Sequence, residues 1–222
     1  MGTSNLATPS ASRQKLPDDL MDGLRALGVL GSDEVALGER LTGGVSSDIW
    51  RVECAKWTVC VKRALAKLKV EADWRAPVER NAYEAAWMRV VATIEPDATP
   101  TLMAEDQQAG LFVMSYLDPS DHALWKAQLR DGEADPETER AVAQRLVHIN
   151  AATAGDPVIA ERFATDYIFH PIRLEPYLLA TARVHTDLAD RLEFLAETTG
   201  KTHLALVHGD VSPKNILIGP RG

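Results

Sequence analysis

The hydrophobic periodicity of the chain changes near residue 117, and this change constrains the fold more than any other feature. Before it, apolar and polar residues alternate in segments such as "DIWRVEC" and "WTVCVKRAL", as they do in strands. Beyond it, apolar residues recur at three- and four-residue spacing, as in "AVAQRLVHINAAT", which is typical of amphipathic helices. A strand-rich half followed by a helix-rich half predicts an α+β fold.

Turn and capping residues predict where the elements of the first half begin and end. A first helix is expected to start at Pro17 and to stop at Gly28. An internal helix runs from Pro77 to about Thr93, because apolar residues recur there at helical spacing. A turn at Gly110 separates two further strands. The first half is therefore expected to be a set of strands with one internal helix.

Helices dominate the predicted second half. Asp135 is expected to cap a helix that closes at Gly155, and two more helical stretches are broken near His185. Close to residue 222, the apolar runs "LALV" and "NILIG" predict two short strands around the segment "HGDVSPKN". We expect a disordered tail at residues 1–16, a first lobe at residues 17–117 and a second lobe at residues 118–222.

Composition and charge exclude several classes of function. The formal net charge is −8, from 24 Lys and Arg against 32 Asp and Glu, so no general basic surface is expected for nucleic acid or an anionic membrane. No apolar stretch approaches the roughly 18 residues that cross a bilayer, and the N-terminal segment lacks the apolar core of a signal peptide. Cys54 and Cys60 predict reduced, buried thiols, and the six histidines do not cluster as zinc ligands do. These features predict a cytoplasmic protein.

The segment "HGDVSPKN" places a carboxylate and an amide five residues apart, at Asp210 and Asn215. A carboxylate can accept the proton of a hydroxyl group, and an amide oxygen is a hard neutral ligand that suits Mg²⁺. Protein kinases use an Asp in this way, followed five residues later by an Asn that holds Mg²⁺. The alternative is a polar hairpin turn in which Asp and Asn serve only the turn.

Three further features have the order and spacing that kinase chemistry needs. In "LTGGVSSDIWRV", the backbone of Gly43 and Gly44 and the hydroxyl of Ser46 or Ser47 could meet phosphate oxygens, although a plain hairpin turn is the simpler interpretation. In "LFVMSYL", a strand runs into a short link whose backbone groups at Ser115 and Leu117 could bind adenine. The third feature is a charged pair.

This charged pair would join Lys62, in the middle of an apolar strand, to Glu84, which lies 22 residues later on the internal helix. A buried ammonium group is costly without a partner, and a strand Lys held by a helix Glu is a kinase feature. The alternatives are an edge-strand Lys62 facing solvent and a Glu84 paired with Arg80 on the helix surface.

These segments resemble the aminoglycoside phosphotransferase and choline kinase superfamily of small-molecule kinases. "HGDVSPKNILIG" resembles its H-G-D-x-x-x-x-N loop, and "LTGGVSSDIWRV" resembles its G-G-x-S-x-x-x-W/Y-x-V nucleotide loop. "FVMSYL" is similar to its hinge, with Met114 in the gatekeeper position. "VERNAYEAAWM" and "RLEPYLLATA" look most like the methylthioribose kinase branch. The resemblance covers residues 39–222.

The resemblance implies a bilobal, protein-kinase-like fold that moves the γ-phosphoryl group of ATP or GTP to a hydroxyl of a small molecule, such as an aminoglycoside, a sugar or an amino alcohol. By position, Asp210 is the base and Asn215 a Mg²⁺ ligand. Lys62 contacts the α- and β-phosphates, and Glu84 anchors it. Separately from the resemblance, Arg173 and Glu175 in the second lobe either face the acceptor or form a surface ion pair.

The family pattern has a second acidic metal ligand about a dozen residues after the Asn, whereas the sequence reaches only Gly222. We therefore expect a C-terminally truncated kinase. An alternative of another class is a catalytically impaired nucleotide-binding or interaction remnant that lacks the principal Mg²⁺ carboxylate. A protein kinase is disfavoured by Gly209 and Ser212, since protein kinases carry Arg and usually Lys at these positions. The acceptor stays open at this point.

Overall fold

The computed structural model describes residues 13–41, 47–65 and 77–220. In the first part of the chain the elements are β1 (Gln14–Lys15), α1 (Asp18–Ala26), β2 (Leu37–Arg40), β3 (Ser47–Glu53), β4 (Thr58–Ala64), α2 (Arg80–Ile94), β5 (Leu102–Asp106) and β6 (Leu111–Ser115). Then follow β7 (Ala123–Leu124), α3 (Trp125–Arg130), α4 (Pro136–Thr153), α5 (Pro157–Arg162), α6 (Asp166–Phe169), a π-helix (His170–Leu179), α7 (Ala180–Val184), α8 (Ala189–Gly200), a 3₁₀ turn (Pro213–Asn215) and β8 (Leu217–Ile218).

The predicted α+β class is confirmed, with an antiparallel sheet in the first part and helices in the second. Two compact units result. One comprises the described residues up to Ala85 together with Thr101–Tyr116, and the other comprises Ala86–Pro100 and the described residues from Leu117 onward. In the described part of the chain, every helix is too short or too polar to cross a membrane.

The sheet of the first unit has six strands in the order β1-β2-β3-β4-β6-β5, and every neighbouring pair is antiparallel. Side chains alternate between the two faces of such a sheet. The first face carries a buried core that packs against α1; its sheet residues are Trp50, Val52, Val59, Val61, Leu111 and Val113. Leu20, Met21 and Leu24 of α1 complete it. This helix follows Pro17 and ends before Gly28, whose φ is +68°, as its turn residues predicted.

The second face of the same sheet carries the residues of opposite parity. On β4 these include Cys60 and Lys62, which stand in register with Met114 and Phe112 of β6. Phe112 is fully buried, whereas Lys62 and Met114 are partly buried. The strand alternation therefore separates an apolar core on one face from a lysine-bearing surface on the other.

Helices form most of the second unit, and the N-terminal cap predicted for α4 is confirmed. Asp135 accepts a hydrogen bond from the Glu137 N–H at 3.0 Å, with Pro136 in the first turn of α4. The carboxylate satisfies an N–H group that has no partner within the helix. At the other end, the buried Thr153 hydroxyl donates to Ile149 O at 2.8 Å and accepts from Leu206 N at 3.0 Å.

That contact explains why one predicted strand is wrong. The run "LALV" at residues 204–207 forms no strand, because its backbone bonds with the end of α4: Gly155 N donates to Leu204 O, and Leu206 N donates to Thr153. The predicted partner strand exists as β8, but it pairs with β7 instead. The segment from His208 to Asn215 is therefore a loop with a 3₁₀ turn, and the predicted hairpin is absent.

The prediction of a disordered tail at residues 1–16 is also wrong for its last residues, 13–16, which the structure describes. Gln14 and Lys15 pair with β2, and Leu16 is only 2% exposed within the core of the first unit. This short strand was not predicted, because the residues before it are mostly small or polar and Leu16 is the apolar residue that follows it.

Gly38, in the middle of β2, allows the closest approach in this core. A Cβ atom at this position would lie 2.4 Å from Leu16 Cδ2 and 3.1 Å from Trp50. Gly38→Ala is therefore expected to lower the free energy of unfolding by about 1–3 kcal/mol, as overpacking of a core does. Denaturant unfolding measures this change. Gly31→Ala is the matched control, because the nearest atom there is 3.6 Å away, and equal stability of both variants would contradict the packing described.

Candidate active site

Lys62 and Glu84 form a two-point ion pair in the first unit. Lys62 Nζ lies 2.5 Å from Glu84 Oε1 and 2.6 Å from Oε2. The Lys62 side chain is 18% exposed, so its ammonium group has lost much of its water and needs this anion. The ion pair predicted from the sequence is present, and neither the solvent-facing Lys62 nor the Arg80–Glu84 pair is observed. Its role in binding nucleotide stays a prediction.

Asn81 holds the start of α2 against the sheet, one helical turn before Glu84. It is 2% exposed, and its Nδ2 donates to Gly110 O at 2.7 Å and to Lys62 O at 3.3 Å. A buried amide that bonds the carbonyl of Lys62 on β4 and the carbonyl of Gly110 in the turn before β6 fixes both the depth and the rotation of the helix start. Asn81 was not among the residues predicted for the site. An amide three residues before the acid, on the same helix face, was the available signal.

Arg80 binds the chain on both sides of residues 66–76, which lie outside the described part. Its guanidinium donates to Pro77 O at 2.6 Å and to Leu65 O at 2.7 Å. Burial lowers the pKa of Arg80, although the nearby charges of Glu84 and Glu79 act in the opposite direction. Since Arg80 is committed to these carbonyls, Glu84 is left to Lys62.

The predicted hinge lies at the end of β6. Met114 is partly buried on the face that carries Lys62. The Ser115 N–H already donates to Thr101 O at 2.9 Å, and the Ser115 hydroxyl accepts from Thr101 N at 2.9 Å. Of the two backbone groups of Ser115, the N–H is thus engaged within the unit. Leu117 is partly buried and belongs to the second unit, whereas Ser115 belongs to the first.

Of the predicted phosphate loop, Gly43, Gly44 and Ser46 lie outside the described residues. Ser47 is described as the first residue of β3, where it is 6% exposed and in register with Ala64.

The neighbouring Asp48 belongs to the first face of the sheet, together with Trp50. Its carboxylate accepts hydrogen bonds from Arg40 Nε at 2.6 Å and from Trp50 Nε1 at 2.9 Å. It also lies 3.6 Å from Arg63 Nη2. Strand alternation places Asp48 on the opposite face from Lys62, so it has a structural role.

The loop of the second unit brings Asp210 and Asn215 together, as predicted, although a turn does this instead of two strands. Asn215 Nδ2 donates to Asp210 O at 2.9 Å, and Asn215 N donates to Ser212 O at 2.9 Å. Asp210 N donates to His208 Nδ1 at 3.2 Å, and the His208 ring meets Trp87 edge-to-face at a centroid distance of 4.9 Å.

Two cations lie against the Asp210 carboxylate. Arg173 Nη2 lies 3.0 Å from Oδ2, and Lys214 Nζ lies 3.3 Å from the same oxygen. Burial raises the pKa of Asp210, but the charges of Arg173 and Lys214 and the hydrogen bond with Asn215 outweigh it, so the pKa lies below its ordinary value. Asp210 is therefore an anion at neutral pH. Arg173 does not pair with Glu175, which binds Arg183 instead.

A sheet lobe with a strand lysine held by a helix glutamate, and a helical lobe with an Asp/Asn loop, define the class of protein-kinase-like folds. The chain matches the model of the phosphotransferase enzyme family over residues 38–222, and it belongs to this family. This confirms the resemblance to the aminoglycoside phosphotransferase superfamily, while the methylthioribose kinase branch stays a prediction. Comparison with curated proteins gives no match.

Both cysteines are free, and Cys60 lies on the same sheet face as Lys62. Burial raises the pKa of the Cys60 thiol to about 11, and burial together with the charge of Glu34 raises that of Cys54 to about 11. At pH 8 both thiols should react with a disulfide reagent about two orders of magnitude more slowly than free cysteine, because only the thiolate attacks. Stopped-flow labelling measures the rates. Unfolding in denaturant is the control and should release both thiols, whereas fast labelling of the native protein would contradict the burial.

Proposed function

We propose that the protein is a phosphotransferase that moves the γ-phosphoryl group of ATP or GTP to a hydroxyl of a small molecule. The Lys62–Glu84 ion pair carries this proposal, because it gives the sheet a largely desolvated, oriented ammonium group of the kind that binds phosphate. Membership of the phosphotransferase family and the Asp210–Asn215 loop support it.

Lys62 would bind the α- and β-phosphates. Glu84 grips the ammonium group through both carboxylate oxygens, and this fixes the direction of the N–H groups that remain for phosphate oxygens. A cation already desolvated and oriented loses little further freedom when an anionic ligand arrives. Phosphoryl transfer is catalysed mostly by such positioning and charge stabilisation.

Asp210 would orient the acceptor hydroxyl and take its proton. The hydroxyl oxygen forms a bond to the γ-phosphorus, the bond between that phosphorus and the bridging oxygen breaks, and the nucleoside diphosphate leaves with the electron pair. The proton of the hydroxyl passes to the Asp210 carboxylate. Its lowered pKa keeps this group ionised and ready to accept a hydrogen bond from the hydroxyl.

Mg²⁺ is implied by the family, and the chemistry of the loop fits it in part. Among the described residues, no three His, Cys, Asp or Glu side chains gather as metal ligands. Asn215 uses its Nδ2 on Asp210 O, which leaves a hard amide oxygen for the cation. Asn215 would hold Mg²⁺ with nucleotide phosphates as further ligands, and the bound ion would neutralise charge on those phosphates.

The acceptors proposed for test are those that the resemblance suggests, namely aminoglycosides, sugars such as methylthioribose, and amino alcohols. The alternative of an impaired nucleotide-binding remnant predicts nucleotide binding without release of diphosphate. The two hypotheses therefore differ in a single measurement.

That measurement is ADP or GDP release with Mg²⁺ and a panel of aminoglycosides, methylthioribose, choline and homoserine. We expect turnover with at least one acceptor and a loss of 10² or more in kcat for Asp210→Asn, since a positioned base contributes about 10²–10⁴. Nucleotide affinity should change little. Asp131→Asn is the control, because Asp131 is exposed and pairs only with the adjacent Arg130 in the described structure. A normal kcat in Asp210→Asn would mean that Asp210 only shapes the turn and takes no part in catalysis.

A second prediction concerns nucleotide affinity. Lys62→Met should weaken ATP binding roughly tenfold, about 1.4 kcal/mol, and Glu84→Gln should weaken it somewhat less, because the amide leaves Lys62 less well oriented. Isothermal titration calorimetry measures both. The matched controls are Lys201→Met and Glu197→Gln, which alter an exposed ion pair at the C-terminal end of α8. If all four variants bound ATP like the parent, Lys62 would have no part in phosphate binding.

A further inference from the structure

Arg173 grips the loop of Asp210 at two consecutive residues. Its Nε donates to Gly209 O at 2.7 Å, and its Nη2 lies 3.0 Å from Asp210 Oδ2. A guanidinium is planar, so two donors on one rigid group fix the carbonyl and the carboxylate relative to each other. Lysine cannot do this, and Lys214 provides only one 3.3 Å contact from a side chain that is 49% exposed.

The backbone of this loop is in a conformation that few residues adopt. Gly209 has φ of +75°, in the left-handed region that favours glycine. Because glycine can adopt more combinations of φ and ψ than other residues, Gly209 by itself does not fix the direction of Asp210. Contacts with other residues have to fix it. On one side His208 packs against Trp87, and on the other Arg173 holds Gly209 and Asp210.

Arg173 lies on a helix of an uncommon type, and the geometry of this helix affects the guanidinium. His170–Leu179 forms a π-helix with Pro176 inside it. Proline has no N–H and clashes with the carbonyl four residues earlier, so an α-helix cannot continue through it. That carbonyl belongs to Ile172, and it accepts from Arg173 Nη1 at 3.1 Å. The guanidinium is thus held by its own helix as well as by the loop. π-Helical turns are rare in proteins as a whole, and those that occur are often found at functional sites.

We propose that Arg173 is a positioning residue for phosphoryl transfer, holding Gly209 and Asp210 in the orientation in which Asp210 meets the acceptor hydroxyl. This inference rests on the proposed function, since it assigns Arg173 a role in the same reaction. Arg173 acts through Asp210 and touches neither nucleotide nor acceptor in this role. Its loss should therefore change kcat while the affinity for ATP stays the same.

The experiment compares Arg173→Met and Arg173→Lys with the control Arg183→Met. Arg183 lies on α7 and pairs with Glu175 outside the loop, and both side chains are substantially exposed. Arg173→Met should lower kcat about 10²-fold with the KM for ATP within twofold, because misplacing a catalytic group by about 1 Å has an effect of this size. Arg173→Lys should be intermediate, and Arg183→Met should match the parent. Adding Arg173→Met to Asp210→Asn should cause little further loss.

Hydrogen–deuterium exchange of the peptide covering residues 207–216 gives a readout that does not require turnover. Exchange should rise in Arg173→Met and stay at the parental level in Arg183→Met. Unchanged exchange in Arg173→Met overturns the proposal, as does a normal kcat with raised exchange. Equal losses in Arg173→Met and Arg173→Lys, with a large fall in melting temperature, would assign Arg173 to folding alone. If the parent turns over no acceptor, the proposed function fails, and loop exchange still decides whether Arg173 holds the loop.

Discussion

A largely desolvated ammonium group on a central strand has to meet an anion, and this requirement organises the first unit. Lys62 is 18% exposed, and an unpaired charge at that depth would cost more free energy than the neighbouring apolar contacts return. Glu84 can reach it only if the start of α2 lies at the right depth on the sheet. Asn81 sets that depth through the carbonyls of Gly110 and Lys62.

In each unit a charged group of the candidate site is paired with a group of opposite charge, but the site group is a cation in the first unit and an anion in the second. In the first unit a carboxylate holds a lysine, and in the second unit Arg173 and Lys214 hold the carboxylate of Asp210. Lys62 and Asp210, the two charged groups proposed to act in phosphoryl transfer, are thus each fixed by a partner of opposite charge. Preorganisation of this kind reduces the reorganisation that a reaction has to include.

The sequence predicted the elements whose signals are local. Alternation located the strands, Asp135 and Gly28 marked helix ends, and the spacing of Lys62 and Glu84 predicted a contact that is present. What failed depends on partners distant in the chain. The run "LALV" has the composition of a strand, but Gly155 and Thr153 bind its backbone instead.

Similar reasons explain why the contacts of Asn81 and Arg173 in the candidate site were not predicted. Asn81 and Arg173 act through carbonyl groups that lie 29 and 36 residues away, and a backbone carbonyl leaves no mark in a sequence. The π-helix could have been suspected from Pro176, but its effect on the direction of Arg173 depends on the whole turn.

Arg80 has a consequence for how β4 and α2 can move. Its guanidinium binds the carbonyls of Leu65, just past the end of β4, and of Pro77, shortly before α2. Because the guanidinium is planar and rigid, these two carbonyls keep a fixed separation. Sliding β4 along the sheet would therefore carry the start of α2 with it. The strand that holds Lys62 and the helix that holds Glu84 would shift together, and the ion pair between them would survive the displacement.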